Sequence, residues 1–208
     1  VDDLNDWTSY LGGHPQAKTP NIDRLVARGM AFTNSHCAAP ACNPSRAALM
    51  SGLRPWNTGI YTNGDPAQGI MKDVITINRH FMANGYNTRG VGKIYHNFNS
   101  EGRTDSWTEW AGLLPSIPEH EENYNGLKSG HFDWGPVKAT TEDMGDTKAT
   151  DWAIKHLKTA PTDQPLFLAV GYVKPHLPWY VPQMYFDRFP LEDIKLPVVK
   201  EDDLADIP

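Results

Sequence analysis

The sequence has no apolar run approaching the roughly 18 residues that a membrane-spanning helix needs, so no helical span is expected. Cysteine is scarce: only Cys37 and Cys42 occur, five positions apart. They form no CxxC pair and have no accompanying pair of histidines, which argues against zinc and against a disulfide framework. Cys37 reads as a small buried residue. Positive charge is also short. With 19 Lys and Arg against 25 Asp and Glu, the net charge is −6, which disfavours nucleic acid or an anionic membrane as the partner. An anionic small substrate stays compatible, because a few local cations outweigh a distant field. No basic stretch followed by an apolar core opens the chain, so no secretory signal is visible.

What is present suits a globular α/β protein. The length of 208 residues allows one or two domains with a sizeable core. Thr19-Pro20 signals a helix start, with Ile22, Leu25 and Val26 as its apolar stripe and Gly29 at its end. Met30 to Thr33 reads as a short strand. A second helix starts at Asn43-Pro44 and ends at Gly52. A third begins near Thr76, burying Ile77, Phe81 and Met82, and stops at Asn84-Gly85. Tyr86 to Val91 follows as a strand. Residues 97–145 are polar and rich in Gly and Asn, with Trp107, Trp110, Tyr124 and Trp134 among them. They read as long surface loops, either around a carbohydrate site or as an ordinary insertion with aromatics packed beneath. Thr147 to Thr159 reads as a helix with Ala153, Ile154 and Leu157 inward. Leu166 to Tyr172 is a near-continuous apolar run that fits a central parallel strand buried on both faces. A loop stiffened by Pro175, Pro178 and Pro182 comes next. Helices alternating with strands predict a mostly parallel central sheet flanked by helices. In such sheets ligands gather beyond the carboxyl ends of the strands, where Asp2-Asp3, Lys93 with His96, and Lys174 with His176 all fall.

The densest chemistry is Cys42-Asn43-Pro44-Ser45-Arg46, followed by Ala47-Ala48-Leu49-Met50-Ser51-Gly52. Pro44 fits a first helical turn, placing Cys42 just ahead of the helix. Free N–H groups and the positive end of the helix dipole favour a thiolate, an alkoxide or a bound oxyanion there. Arg46 can reach back with a planar fork of donors toward the same anion. The stretch resembles the C-x-P-S-R signature of the sulfatase family. The resemblance implies that Cys42 is converted to formylglycine, whose hydrated aldehyde attacks sulfur and later releases sulfate by collapsing back. It also implies an alkaline-phosphatase-like sulfatase fold.

Beside that signature, Val1-Asp2-Asp3-Leu4 resembles the family's first metal-binding pair. Carboxylate oxygens suit Ca²⁺ or Mg²⁺ and no soft metal. The resemblance implies Ca²⁺ ahead of Mg²⁺, with Asp2, Asp3 and modified Cys42 as the metal set. Gly92-Lys93-Ile94-Tyr95-His96 resembles the family's Lys–His pair, with one residue more between them than many members have. Lys93 would then bind sulfate, and His96 would act as base on the collapsing hydroxyl. In Lys174-Pro175-His176-Leu177-Pro178, His176 resembles the histidine that contacts the bridging oxygen and protonates the leaving alcohol, a task apt for imidazole. Both motifs, with Pro190 to Ile194, are similar to the iduronate-2-sulfatase branch. Lys174 either binds a substrate carboxylate or sulfate or is a surface lysine. His14, His36, His80, His120, His131 and His156 carry no motif.

The resemblance runs over most of the chain and implies an N-terminal part of a sulfatase catalytic domain, residues 1–208, with 97–145 as a loop-rich insertion. The remaining metal ligands and a further sulfate-binding lysine would come from the C-terminal part of that domain. The implied function is removal of O-sulfate from a sulfated carbohydrate, a uronate or related sugar. Hydrolysis of phosphonate or phosphate monoesters, and non-catalytic binding of sulfated glycans, are the alternatives. The implied partners are the sulfated sugar and a formylglycine-generating or anaerobic sulfatase-maturing enzyme. The implied location is periplasmic, extracellular or lysosomal.

Overall fold

The computed structural model describes residues 1–96, 106–115 and 123–205. In chain order the elements are helices α1 (Pro20–Val26), α2 (Cys42–Ser51), α3 (Pro55–Thr58), α4 (Ala67–Ile70) and α5 (Ile77–Ala83), then strands β1 (Asn87–Gly92), β2 (Glu109–Trp110) and β3 (Trp134–Val137). Helix α6 (Gly145–Lys158), β4 (Leu166–Gly171), β5 (Trp179–Pro182) and α7 (Gln183–Phe186) complete them.

Two compact units are formed. The first contains Val1–Asp3 and Ser35–Pro182. Its sheet has the order β2-β1-β4, all parallel, with Gly92 of β1 opposite Gly171 of β4. Parallel strands need a crossover, and α6 supplies it between β1 and β4, packing on both. Helix α5 packs on β1 as well, so the sheet is flanked by helices as the sequence predicts. Met50, Ile94, Tyr95 and Trp107 form one buried cluster, with Trp110, Phe167 and Ala169 against it. Ala47, Ile60, Ala67 and Met71 form a second. Met50 and Ala47 both lie on α2, so this helix is seated on two apolar clusters. It ends where Gly52 adopts φ +72°, a left-handed turn that glycine takes at little cost.

A separate parallel pair, β3 with β5, is anchored by Asp133, which is fully buried. Its carboxylate accepts the Tyr180 hydroxyl at 2.5 Å and the backbone N–H groups of Tyr124 and Asn125 at 3.0 Å each. Burial would raise its pKa, but the bonds from Tyr180, Asn125, Tyr124 and Trp134 prevail and hold it down to about 2. A second buried polar set joins β1 to α6. Arg89 donates to His156 Nδ1 at 2.6 Å and to Asn87 Oδ1 at 2.7 Å, while His156 Nε2 lies 3.3 Å from Glu109.

The second unit contains Leu4–Asn34 and Gln183–Pro208. Side chains join its two segments. His14 Nε2 donates to Lys195 O at 2.8 Å, and Gln16 donates to Asp193 O at 2.9 Å while accepting from Lys195 N at 2.8 Å. Among the described residues, no helix is long and apolar enough to cross a membrane.

Several expectations are corrected. Met30–Thr33 forms no strand, and Met30 is exposed. Cys37 is exposed, not buried. Leu25, Ile77, Met82, Ile154 and Leu157 are exposed, whereas polar Asn78 and His156 on the same helices are buried. Asn78 donates from its amide to Ser106 O and His156 Nδ1 accepts from Arg89, which offsets the cost of burying them. Strand β4 is half-buried, not buried on both faces, and among the described residues it pairs with β1. Within 97–145 the described residues include β2, β3 and the first residue of α6, and Trp107 is buried. Its residues 97–105 and 116–122, His120 among them, lie outside the described residues.

Candidate active site

Cys42 is the first residue of α2 itself, one step further in than the sequence suggests. The helix start is fastened by the residue between cysteine and proline. Buried Asn43 donates from its amide to Thr62 O (3.1 Å) and Asp65 O (3.0 Å), and its backbone N–H donates to Asn63 Oδ1 at 2.9 Å. Asp65 in turn accepts from the N–H groups of Tyr61 and Thr62 at 2.7 Å each. The 61–65 loop is thereby clasped to the cysteine-bearing end of α2. Nothing in the sequence beyond its place in the motif marked Asn43 for this task.

The first three residues lie beside the end of β4, where Asp2 N donates to Tyr172 O at 3.1 Å. Asp2 is buried and has each oxygen paired, one with Arg46 and the other with Lys93. Burial opposes its ionisation, yet the hydrogen bonds from Lys93 and Arg46 prevail and lower its pKa. Arg46 further donates to Lys93 O (2.5 Å) and Ile94 O (3.1 Å), tying α2 to the chain leaving β1. Its guanidinium thus engages Asp2 as well as lying one helical turn from Cys42. Asp3 has φ +53° and is half exposed, whereas Asp2 beside it is buried.

His176 Nε2 lies 3.6 Å from Asp3 Oδ2 and 3.9 Å from Asp2 Oδ2. Its Nδ1 is 2.5 Å from Leu177 O. A carbonyl can only accept, so Nδ1 carries the proton and Nε2 is the nitrogen presented to the carboxylates. Asp2, Asp3, Cys42 and His176 each offer a ligand atom, and these atoms lie within 4.8 Å of one another. Two hard carboxylates in that set fit Ca²⁺ or Mg²⁺, and the Cys42 sulfur marks where the oxygens of a formylglycine side chain would lie.

The other residues singled out from sequence are close at hand in the chain but differ in posture. His96 Nδ1 is buried with no partner among the described residues. Burial, Lys93 and Arg46 lower its pKa, with Asp2 opposing, so its surroundings favour the uncharged ring. Lys174 Nζ donates to the backbone carbonyls of His176 (3.3 Å) and Pro178. Burial pushes its pKa down to about 8, against the raising effect of Asp146. Two residues without a sequence signal also belong here. Asp146, at the start of α6, accepts from Val173 N (2.8 Å) and Lys174 N (2.9 Å). His131 packs edge-on against His176, with ring centroids 5.3 Å apart.

A cysteine at a helix start, two carboxylates, two cations and a tautomerically fixed imidazole are thus gathered in one place, the residue types that the signature resemblance implies. Comparison with known proteins agrees. The Sulfatase family profile matches residues 1–196. A sulfatase of Formosa agariphila is 39% identical and is matched over 100% of this chain and 44% of its own length. Human iduronate 2-sulfatase is 31% identical, over 94% of this chain and 38% of its own length. The chain therefore spans less than half the length of these relatives. Among solved structures, Ps i-CgsB in complex with k-i-k-neocarrahexaose superposes with a TM-score of 0.68 at 25% identity, over 94% of this chain and 48% of that one. The phosphonate monoester hydrolase of Agrobacterium radiobacter shares the fold, with a TM-score of 0.62 at 22% identity, over 88% of this chain and 41% of that one. The motif around Cys42, the residues gathered about it and the match along the chain lead to one conclusion: this chain belongs to the sulfatase family.

Proposed function

We propose that the protein hydrolyses O-sulfate esters of a sulfated carbohydrate, with a uronate or related sugar as the preferred class. The observation that carries this reading is the convergence of Cys42, Asp2, Asp3 and His176 within 4.8 Å at the start of α2. The uronate preference rests on the likeness to human iduronate 2-sulfatase.

Asp2, Asp3 and the modified Cys42 side chain would hold a divalent cation, Ca²⁺ ahead of Mg²⁺, which supplies Lewis-acid polarisation of the sulfate and eases deprotonation of the attacking hydroxyl. Formylglycine at position 42 supplies a hydroxyl nucleophile that a thiol cannot. Lys93, held at the end of β1, lends positive charge to a sulfate oxygen. Arg46 keeps α2, Asp2 and the 93–94 backbone in register, so the nucleophile and the charges around it stay at fixed spacing. His176, in its imidazolium form with Nδ1–H still on Leu177 O, would donate Nε2–H to the bridging oxygen and pass that proton to the departing alcohol, ending as the neutral ring. His96, whose burial favours the uncharged ring, would accept the proton of the hydroxyl that releases sulfate. The C-terminal part of the domain would add ligands and shape the sugar pocket. A formylglycine-generating or sulfatase-maturing enzyme acts on Cys42 beforehand, and a periplasmic, extracellular or lysosomal setting is proposed.

The test has two parts. The Cys42 peptide from the native host is expected to weigh about 18 Da less than the thiol form, since an aldehyde replaces the thiol. Cys42→Ala is expected to abolish turnover without altering the unfolding midpoint. An unmodified cysteine, or full activity in the variant, refutes the reading. Rates on sulfate and phosphate esters of one leaving group, measured side by side, decide against phosphate or phosphonate hydrolysis if sulfate is preferred.

A further inference from the structure

The segment carrying His176 has little regular backbone bonding, yet it must aim one ring nitrogen to within tenths of an ångström. Side chains place such a loop. Asp146 grips its entry, taking the N–H of Val173 at 2.8 Å on one oxygen and that of Lys174 at 2.9 Å on the other. His176 N closes a turn on Val173 O at 2.9 Å. Lys174 grips the exit, donating to His176 O at 3.3 Å and to Pro178 O. Inside this bracket the imidazole is fixed by Leu177 O at 2.5 Å, leaving Nε2 toward Asp2 and Asp3.

We propose that Lys174 and Asp146 are positioning residues for His176, together holding the 173–178 segment so that Nε2 faces the Cys42 cluster. Lys174 has two of its three donors committed to main-chain carbonyls, which leaves it poorly placed to recognise substrate. The reasoning is geometric. A proton donor must lie within about 2.6–3.2 Å of its target, and a displacement near 1 Å costs on the order of 100-fold. Without the Lys174 ammonium, two carbonyls beside His176 lose their donor and the turn relaxes. The inference rests on the sulfate-ester reading for its kinetic signature, though not for its structural one.

The experiment uses the intact, matured protein and compares Lys174→Met and Asp146→Asn on two substrates. One is a sugar sulfate, whose alcohol needs protonation to leave; the other is para-nitrophenyl sulfate, whose phenolate leaves unaided. Both variants are expected to lower kcat on the sugar sulfate about 10- to 100-fold and on the aryl sulfate less than about 3-fold, with little change in KM. In a His176→Ala background, Lys174→Met is expected to add no further loss. Equal losses on both substrates, a rise in KM alone, or losses that add to those of His176→Ala overturn the proposal. Amide exchange gives a readout that needs no turnover. The His176 N–H is expected to exchange about tenfold faster in both variants, and unchanged protection also overturns it. If the parent protein cleaves neither ester, the sulfate reading fails and the exchange result alone decides the positioning role.

Discussion

Gly92→Ala tests whether the approach of β1 to β4 holds the site together. Gly92 and Gly171 lie opposite each other where both strands deliver site residues. A Cβ on Gly92 would lie 2.0 Å from Gly171 O and 3.0 Å from Gly171 C. Those are backbone atoms of a paired strand, so no side-chain rotation relieves the clash. Gly92 also has φ +81°, which costs a residue with a Cβ about 1–2 kcal/mol. Forcing a methyl into a packed region adds about 1–3 kcal/mol, giving roughly 2–5 kcal/mol in all. Domains of this kind are stable by about 5–15 kcal/mol, so the loss is a large fraction. Gly69→Ala is the control. It lies in α4 with nothing within 4 Å of its Cβ position, and helix propensity makes the change stabilising by about 0.5–1 kcal/mol. The assay is urea unfolding followed by tryptophan fluorescence. A Gly92→Ala protein within about 0.5 kcal/mol of the parent, or a pair of variants shifting the same way, would refute the reasoning.

Two other perturbations follow from the buried charges. Asp2→Ala leaves Arg46 and Lys93, both largely buried, without their shared carboxylate, and is expected to cost about 3–5 kcal/mol in urea unfolding of the metal-free protein. An unchanged midpoint would show that the three groups do not depend on one another. His156 supplies a pH dependence. Burial lowers its pKa below the ordinary value near 6.5, which Glu109 opposes and Arg89 and Lys155 reinforce. The unfolded chain takes up this proton near pH 6.5 and the native state only at lower pH, so the contribution is complete above about pH 6.5 and is lost as pH falls through the folded pKa. Urea midpoints of the parent should therefore fall more steeply than those of His156→Gln from about pH 6.5 downward; equal slopes would remove His156 from the account.

The sequence determined what sits close along the chain. Cys42 and Arg46 are one helical turn apart, and proline, small residues and the terminating glycine fix that helix wherever it packs. The parallel sheet was legible from alternating helix and strand signals, and the placement of Asp2, Lys93 and His176 followed from strand ends. Tertiary structure decided what these residues touch. Asp2 meets Arg46 and Lys93 across separations of 44 and 91 residues, and no local pattern encodes which oxygen goes to which cation. Lys174 stayed open between binding substrate and standing at the surface because sequence gives its charge but not its direction; the fold turns its Nζ onto the carbonyls of its own loop. Asp146 carried no signal in the sequence; α6 packing on β4 brings its carboxylate to the N–H groups of Val173 and Lys174. The same limit explains the misread faces of α5 and α6. Periodicity says which residues could share a face, while burial goes to the face that finds a partner, and Asn78 and His156 found theirs in Ser106 and Arg89.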